Sequence, residues 1–297
     1  MMPFYGRADH LKAAVTSVLE QTDPRWRLVV LDDRNPDPEP GEWVAGLGDP
    51  RVEYRLNDEN LGVSGNFNLA ADLVRSEHCV LMGCDDVMLP DYVERIFGLI
   101  DGHRDADIIQ PGVRVIGADG EVVSPLGDRI KDLLRPSGSP PSVHRGEELA
   151  ASLLRGNWAY FPSICWRAEP LRRHGFRADL STVQDLALMM NIIRAGGTMV
   201  VDDVPVFAYR RHGASVSSAL AVDGERFVQE RTVFAEEAAR LAGLGWYRAA
   251  RAARRHATSR LNALVQLPLA VAARDLAGTR TLVRHAFGST GFPGGPG

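Results

Sequence analysis

Two pairs of adjacent carboxylates, Asp32-Asp33 and Asp85-Asp86, follow closely on continuous apolar runs, Leu28-Val29-Val30-Leu31 and Cys79-Val80-Leu81-Met82. Neighbouring carboxylates repel one another unless a cation or hydrogen-bond donors compensate them. Oxygen donors of this kind suit Mg²⁺ or Mn²⁺, which commonly bind through one or two carboxylates together with substrate phosphates. Carboxylates also accept hydrogen bonds from hydroxyl and imide groups. The same residues serve equally well as turn formers or helix caps at strand ends, and either pair taken alone leaves both readings open.

For the two pairs to act together they must lie at the carboxyl ends of neighbouring strands, where the loops of an open α/β sheet converge on a crevice. The patterning supplies such strands. Residues 28–31 and 79–82 read as strands buried on both faces, and Val52, Tyr54 and Leu56 alternate with charged residues as a further strand. Asp9 is expected to cap a helix in which Leu11, Ala14, Val15, Val18 and Leu19 recur at helical spacing. Other amphipathic helices are expected around Phe67, Ala70, Ala71 and Val74, after Pro90, over residues 147–154, and over 185–194 up to Gly196-Gly197. Residues 107–109 and 113–123 read as strands, the latter turning at Asp119-Gly120. Residues 128–142, rich in Pro, Ser and Gly, read as a flexible loop. The alternation predicts an α/β fold, a mixed sheet flanked by helices, over residues 1–222. Residues 223–297, rich in Ala, Arg, Glu and Leu and without strand signals, form a C-terminal helical appendage that reads as a unit separate from the site, with a frayed tail from Gly288. The first strand, around Pro3-Phe4-Tyr5, is expected to be a stub unless strand-forming residues precede Met1.

Six separated segments, in order, resemble family 2 glycosyltransferases. Pro3-Phe4-Tyr5-Gly6-Arg7, with a helix closing on Ser17-Val18-Leu19-Glu20-Gln21-Thr22, is similar to that family's opening. Residues 28–34 resemble its V-V-V-D-D-G-S segment, and Asn60-Leu61-Gly62 through Asn68 its N-x-G…N segment. Gly83-Cys84-Asp85-Asp86 with Leu89-Pro90-Asp91 resembles D-x-D-D…P-D. Gln184-Asp185 falls at the E-D position, and Tyr209-Arg210-Arg211-His212 with Ser215-Val216-Ser217 resembles the Y-R-x-H…S-x-S ending. Together these span roughly residues 1–218, and the resemblance implies a GT-A fold, a Rossmann-like mixed sheet.

The resemblance also implies roles. Pro3, Tyr5, Asp32, Asp33, Asn68, Asp85, Arg210 and Arg211 would line the nucleotide-sugar donor site, with Asp33 and Asp32 on the base or ribose and an arginine as phosphate clamp. Asp86, Asp85 and His212 would hold Mn²⁺ or Mg²⁺, which neutralises charge as the sugar-phosphate bond breaks. Asp185 would be the general base that deprotonates the acceptor hydroxyl, although its position also suits a helix N-cap. Gln184, Trp158 and Tyr160 would face the acceptor, the aromatic rings stacking on sugar; ordinary core packing explains Trp158 and Tyr160 equally well. The chain departs from the family pattern in several places. Gly83 stands where many relatives carry the first Asp of D-x-D, Gln184 replaces the Glu beside the base, Gly6 replaces the opening-loop Asn, and Arg34-Asn35 replaces a Gly. Donor identity and nucleoside contacts are therefore not transferable.

Composition narrows the classes further. With 297 residues, 45% hydrophobic and 24% charged, the chain suits a folded protein, and a net charge of -4 argues against counterion-displacing nucleic-acid binding. Three cysteines, Cys79, Cys84 and Cys165, suit reduced thiols rather than a disulfide framework or a four-ligand zinc site. No run reaches the length of a membrane span, and the opening lacks a charged-then-apolar leader. A cytoplasmic location is expected, at or away from the inner face of a membrane. Arg248, Arg251, Arg254, Arg255 and Arg260 could lie on an anionic bilayer and reach a lipid-linked acceptor, or form a solvated face or homodimer contact. The predicted activity is inverting transfer from a nucleotide-diphosphate sugar to an acceptor hydroxyl of a glycan, lipid-linked or small-molecule substrate. The rivals are a non-catalytic sugar-nucleotide or glycan-binding module and a sugar-1-phosphate nucleotidyltransferase, which would need a Gly-rich loop that residues 3–11 lack.

Overall fold

A computed structural model describes residues 1–211 and 225–288. In chain order the elements are β1 (Met2–Phe4), α1 (Ala8–Leu19), β2 (Leu28–Asp32), α2 (Glu39–Ala45), β3 (Val52–Leu56), α3 (Gly62–Asp72), β4 (His78–Val80), β5 (Val87–Met88) and α4 (Tyr92–Gly102). There follow β6 (Ile108–Ile116), α5 (Leu126–Leu134), β7 (Ser142–Arg145), α6 (Gly146–Arg155), a 3₁₀ turn (Phe161–Ser163), β8 (Cys165–Arg167), α7 (Ala168–His174), α8 (Gln184–Arg194) and β9 (Thr198–Arg210). Four helices complete the described chain: α9 (Glu225–Gly243), α10 (Tyr247–Arg255), α11 (Ala257–Ala272) and α12 (Leu276–Phe287).

The apolar run of β2 is buried at every position because β2 lies between β1 and β3, parallel to both. Met1 extends this unit: its amino group donates to Val80 O and its carbonyl accepts from Met82 N, a parallel pattern that sews β1 to β4. From β4 the sheet continues through β8, β6 and β9, with β5 and β7 also paired to β9. The β6–β9 pair is parallel and the remaining pairs in this half are antiparallel. The result is a mixed sheet with helices packed on it, and the loops after β1, β2 and β4 open at the same edge. The first strand is indeed short, three residues.

Three local expectations change. Asp9 does not cap α1. The cap position is Arg7, whose guanidinium pairs with Asp9 at 2.6 Å inside the first turn, where a negative charge complements the helix dipole. The stretch 128–142 is not all loop, because residues up to Leu134 belong to α5 and residues from Ser142 form β7, which pairs with β9. Pro, Ser and Gly density marks only the connection between them. The expected boundary between Val222 and Asp223 lies outside the described residues, and the helices that follow are not a detached unit. Phe234, Ala238 and Leu241 of α9, with Ala249, Ala250 and Ala253 of α10, share one core with Leu149, Leu153, Leu154, Trp158 and Met189. Glu147 Oε1 accepts from the Arg248 and Ala249 N–H groups, satisfying first-turn donors of α10.

Candidate active site

The loop after β4 carries the second acidic pair. Asp86 is 1% exposed; its Oδ1 accepts from the Arg210 backbone N–H at 2.8 Å, and its Oδ2, buried, has no hydrogen-bond partner among the described residues. Burial first, and then the neighbouring Asp85, raises its pKa well above the ordinary carboxylate range. A buried carboxylate oxygen without a donor is costly unless it is protonated or meets a cation. Gly83 shows where such a cation would go. A Cβ at Gly83 would stand 2.6 Å from Asp86 Oδ2 and 2.9 Å from Asp85 Oδ1, so both oxygens border the same small space that the missing side chain leaves. An orphaned oxygen, a second carboxylate and a cradle fit an oxygen-preferring divalent ion. Among the described residues no three His, Cys, Asp or Glu side chains gather as a metal site. His212, the expected third ligand, lies outside the described residues.

The first acidic pair divides its work. Asp32 Oδ1 accepts from the Asn35 N–H and Oδ2 from the Tyr54 hydroxyl. Asp32 lines a cleft of about 280 Å³ with Arg34, Asn35, Gly41, Tyr54 and Leu56 among its walls. Arg34 holds φ +64°, a left-handed turn that directs the chain around the Asp32 carboxylate. Asp33 faces inward instead. Its Oδ1 accepts from Asn57 Nδ2 and the Leu61 N–H, its N–H donates to Phe4 O, and its carbonyl accepts from Asn60 Nδ2. Asp33 therefore ties β1, β2 and the turn before α3 together, and of the pair Asp32 is the cleft residue.

Asp185 is the second residue of α8 and does not cap it: the cap position is Val183, with no side-chain cap. Asp185 Oδ2 accepts from Asn157 Nδ2 at 2.8 Å, while Asn157 Oδ1 is buried without a partner among the described residues. Val183 is held at φ +51°, a region a β-branched residue enters only at a cost of about 1–3 kcal/mol. That strained turn starts α8 where it sets Asp185 beside Asn157. Between Asp185 and the acidic pair lies a cluster from α5, Tyr160 just before the 3₁₀ turn, and the end of β9 with Arg211. Tyr160 donates to Asp128 at 2.9 Å and its ring lies 5.3 Å from that of Tyr209, tilted by 58°; Arg211 also binds Asp128. Lys131 donates to Ala159 O and sits 4.2 Å above the Tyr160 ring. Burial, then Arg211, brings the Lys131 amine down to about 8, with Asp128 and Asp185 acting in the opposite direction. Burial pushes Tyr209 up to about 12, with Asp86 and Asp85 among its electrostatic neighbours. The cluster thus bridges Asp185 to the Asp85-Asp86 loop.

The remaining expected residues take other places. Trp158 is completely buried, its indole N–H donating to Ser152 Oγ, so it packs the core and stacks on no acceptor. Tyr160 is buried in the cluster just described. Gln184 is buried and its Oε1 accepts from Ser64 Oγ at 2.6 Å. Asn68 exchanges bonds with the Phe176 N–H and carbonyl and holds the α7–α8 connection rather than a ligand. Arg210 is no loose phosphate clamp: its guanidinium donates to the carbonyls of Asp85, Gly117 and Ala118, and so fixes the acidic loop. Pro3 lies inside β1, paired with Leu31, and Tyr5 is exposed just beyond it. Tyr54, Asn35, Asp128 and Lys131 join the site unannounced by any motif; Asp128 and Lys131 fall in the stretch expected to be loop. Asn157 opens the segment 157–161 expected where relatives build the acceptor pocket, but a single amide carries no signal of its own.

A mixed α/β sheet with acidic loops after β2 and β4 and a carboxylate at the head of α8 defines a GT-A fold. Residues 1–146 match the family model "Glycosyl transferase family 2". The succinoglycan biosynthesis protein ExoO of Rhizobium meliloti is 27% identical over 74% of this chain and 62% of its own. An uncharacterized glycosyltransferase of Methanocaldococcus jannaschii is 21% identical over 59% of this chain and 57% of its own. The crystal structure of S. aureus TarS 1-349 in complex with UDP-GlcNAc superposes with a TM-score of 0.60 at 15% identity, covering 95% of this chain and 88% of that one. The first 146 residues, just under half of the chain, are thus similar to glycosyl transferase family 2. It spans about three fifths of the length of the Rhizobium and Methanocaldococcus relatives.

Proposed function

We propose that this chain is an inverting, divalent-metal-dependent glycosyltransferase that moves a sugar from a nucleotide-diphosphate donor to an acceptor hydroxyl. The observation that carries the reading is the unpartnered, buried Asp86 Oδ2, which borders the same space as Asp85 Oδ1 beside Gly83. Asp85 and Asp86 would hold Mn²⁺ or Mg²⁺, which when bound supplies charge compensation for the donor diphosphate. Asp32, with Tyr54 and Asn35 on its two oxygens, shapes the cleft that suits the nucleoside, whose hydroxyl and imide groups find acceptors there. Lys131 and Arg211 add positive charge between that edge and the base. The acceptor hydroxyl attacks the anomeric carbon from the side opposite the diphosphate; a new C–O bond forms as the bond to the diphosphate oxygen breaks. Asp185 takes the hydroxyl proton, and Asn157 holds one carboxylate oxygen so that the other is aimed at the acceptor.

A lipid-linked acceptor is supported by the Escherichia coli protein named UDP-Glc:alpha-D-GlcNAc-diphosphoundecaprenol beta-1,3-glucosyltransferase WfgD, 28% identical over 32% of this chain and 37% of its own. Transfer at the cytoplasmic side fits a nucleotide-sugar donor. The test is thermal stability in a panel of nucleotide-diphosphate sugars with and without Mn²⁺, since a ligand of the native state raises its apparent stability. A shift with one donor that requires Mn²⁺ and disappears in Asp86→Asn is expected. An equal shift in excess chelator removes the metal from the reading, and no shift with any donor removes the donor.

A further inference from the structure

The C-terminal helices present a surface that the transfer chemistry does not use. Helix α11 is apolar on two sides. Its inner side packs Ala263 and Ala270 against Phe227, Leu282 and Ala286. Its outer side carries Leu261, Leu264, Val265, Pro268 and Leu269 at helical spacing, continuing through Val271 to Leu276, and every one of these is exposed. The large side chains among them range from 37% exposed at Leu264 to 74% at Leu276. From Leu261 to Ala277 the exposed positions are all apolar except Arg274. The outward stripe of α12 interleaves the two chemistries: Leu276, Arg280, Val283, Arg284 and Phe287. A helix apolar on its outward as well as its inward side belongs in an apolar environment, and a contiguous exposed apolar patch marks an interaction surface. Among the described residues nothing covers it.

Charge identifies the occupant. Residues 241–297 hold eight arginines and one acid, Asp275, whereas the whole chain has 34 basic and 38 acidic residues. The helical end is strongly positive on an otherwise acidic protein. A second copy placed symmetrically on this face would set arginine against arginine. An anionic bilayer answers both features at once, taking leucine, valine and phenylalanine at the headgroup boundary and arginine at the phosphates. We propose that the outer face of α11 and α12 docks on a membrane surface of anionic phospholipid. No helix among the described residues is long and apolar enough to cross a membrane, so the contact is peripheral.

The placement serves the site as well. Helix α9, which packs between this face and the α/β domain, holds the turn leading to the base: Gln229 Oε1 accepts from the N–H groups of Ser181 and Thr182 and from the Thr182 hydroxyl. The inference stands independently of the transferase reading because its readout is vesicle binding. The full chain is sedimented at low salt with vesicles of phosphatidylglycerol and phosphatidylcholine in equal parts, and with phosphatidylcholine alone. Pelleting with the anionic vesicles and little with the neutral ones is expected, weakening as salt rises. Each of Arg274→Gln, Arg280→Gln and Arg284→Gln should weaken binding about fivefold. Val265→Asp with Leu269→Asp should abolish it while the circular dichroism and Tm stay unchanged, because both side chains are exposed. The proposal is overturned if the wild-type chain stays in the supernatant with every vesicle, or if the paired aspartate variant pellets like wild type. It is equally overturned if ultracentrifugation shows a dimer that the aspartates split, for then a second copy covers the face.

Discussion

At the scale of single residues, the proposed mechanism separates groups that bind from a group that reacts. In that mechanism Asp185 would be required only when the acceptor loses its proton, whereas Asp32, Asp85 and Asp86 would be engaged once the donor is bound. Asp185→Asn should therefore lower turnover by about 10²–10⁴-fold, the usual worth of general-base catalysis, with donor affinity unchanged in equilibrium titration. A parallel collapse of affinity would make Asp185 a donor ligand. Gly83 gives a test of the opposite kind. Its φ is not positive, so alanine costs the backbone nothing, yet the added Cβ would press on Asp86 Oδ2 at 2.6 Å and Asp85 Oδ1 at 2.9 Å. Gly83→Ala should fold normally and weaken Mn²⁺-dependent donor binding by about 10–100-fold, the range found when the surroundings of a metal site are disturbed. Calorimetric titration with undiminished metal dependence would move the ion elsewhere.

At the scale of elements, the turn that leads to Asp185, the proposed base, depends on a helix distant in sequence. Gln229 of α9 accepts three hydrogen bonds from Ser181 and Thr182 and donates to Ser181 Oγ, directly before the strained Val183. Gln229→Ala would leave partly buried donors unpaired, so urea unfolding should show a loss of about 1–3 kcal/mol, accompanied by a fall in kcat without a change in donor affinity. Gln229→Glu, which keeps the acceptor oxygens, should recover part of both. The packing of α9, α11 and α12 also makes stability pH-dependent. His285 is 2% exposed, beside Ser259 at 2.6 Å, and burial lowers its pKa to about 4. The unfolded chain binds this proton near pH 6.5. Because the folded value is the lower one, the contribution is complete above about pH 6.5 and is lost as pH falls toward 4, by at most about 1.4 kcal/mol per pH unit. Thermal melts between pH 7.5 and 5 should record this loss, and His285→Gln should flatten the slope.

At the scale of the whole molecule, the helices after residue 224 complete the fold. Leu241, Ala250 and Ala253 sit in one core with Trp158 and Leu154, so removing residues 225–288 would expose that core rather than release a finished domain. Leu241→Ala should cost about 2–5 kcal/mol, and circular dichroism and tryptophan fluorescence should report a single coincident unfolding transition. Two separated transitions would restore the picture of an independent appendage.

Much of this is legible in the chain itself. Continuous apolar runs at residues 28–31 and 79–82 read as strands ahead of both acidic loops; β2 is buried throughout, whereas β4 stops at Val80 and is only half-buried, and the order of short motifs carries the family resemblance. What local pattern cannot decide is the direction of each side chain. Asp32 and Asp33 are chemically identical neighbours, yet alternation along the strand end turns one toward the cleft and the other toward Asn57 and Leu61. Trp158 suits sugar stacking and core packing equally until its indole is seen bonded to Ser152. Asn157 and Asp185 are 28 residues apart, and Gln229 meets Ser181 across 48. Such pairings depend on how helices pack around the sheet, which no periodicity in the sequence encodes. The arginine-rich composition of residues 241–297 is plain from the sequence; only the packed helices show that their leucines, as well as their arginines, face outward.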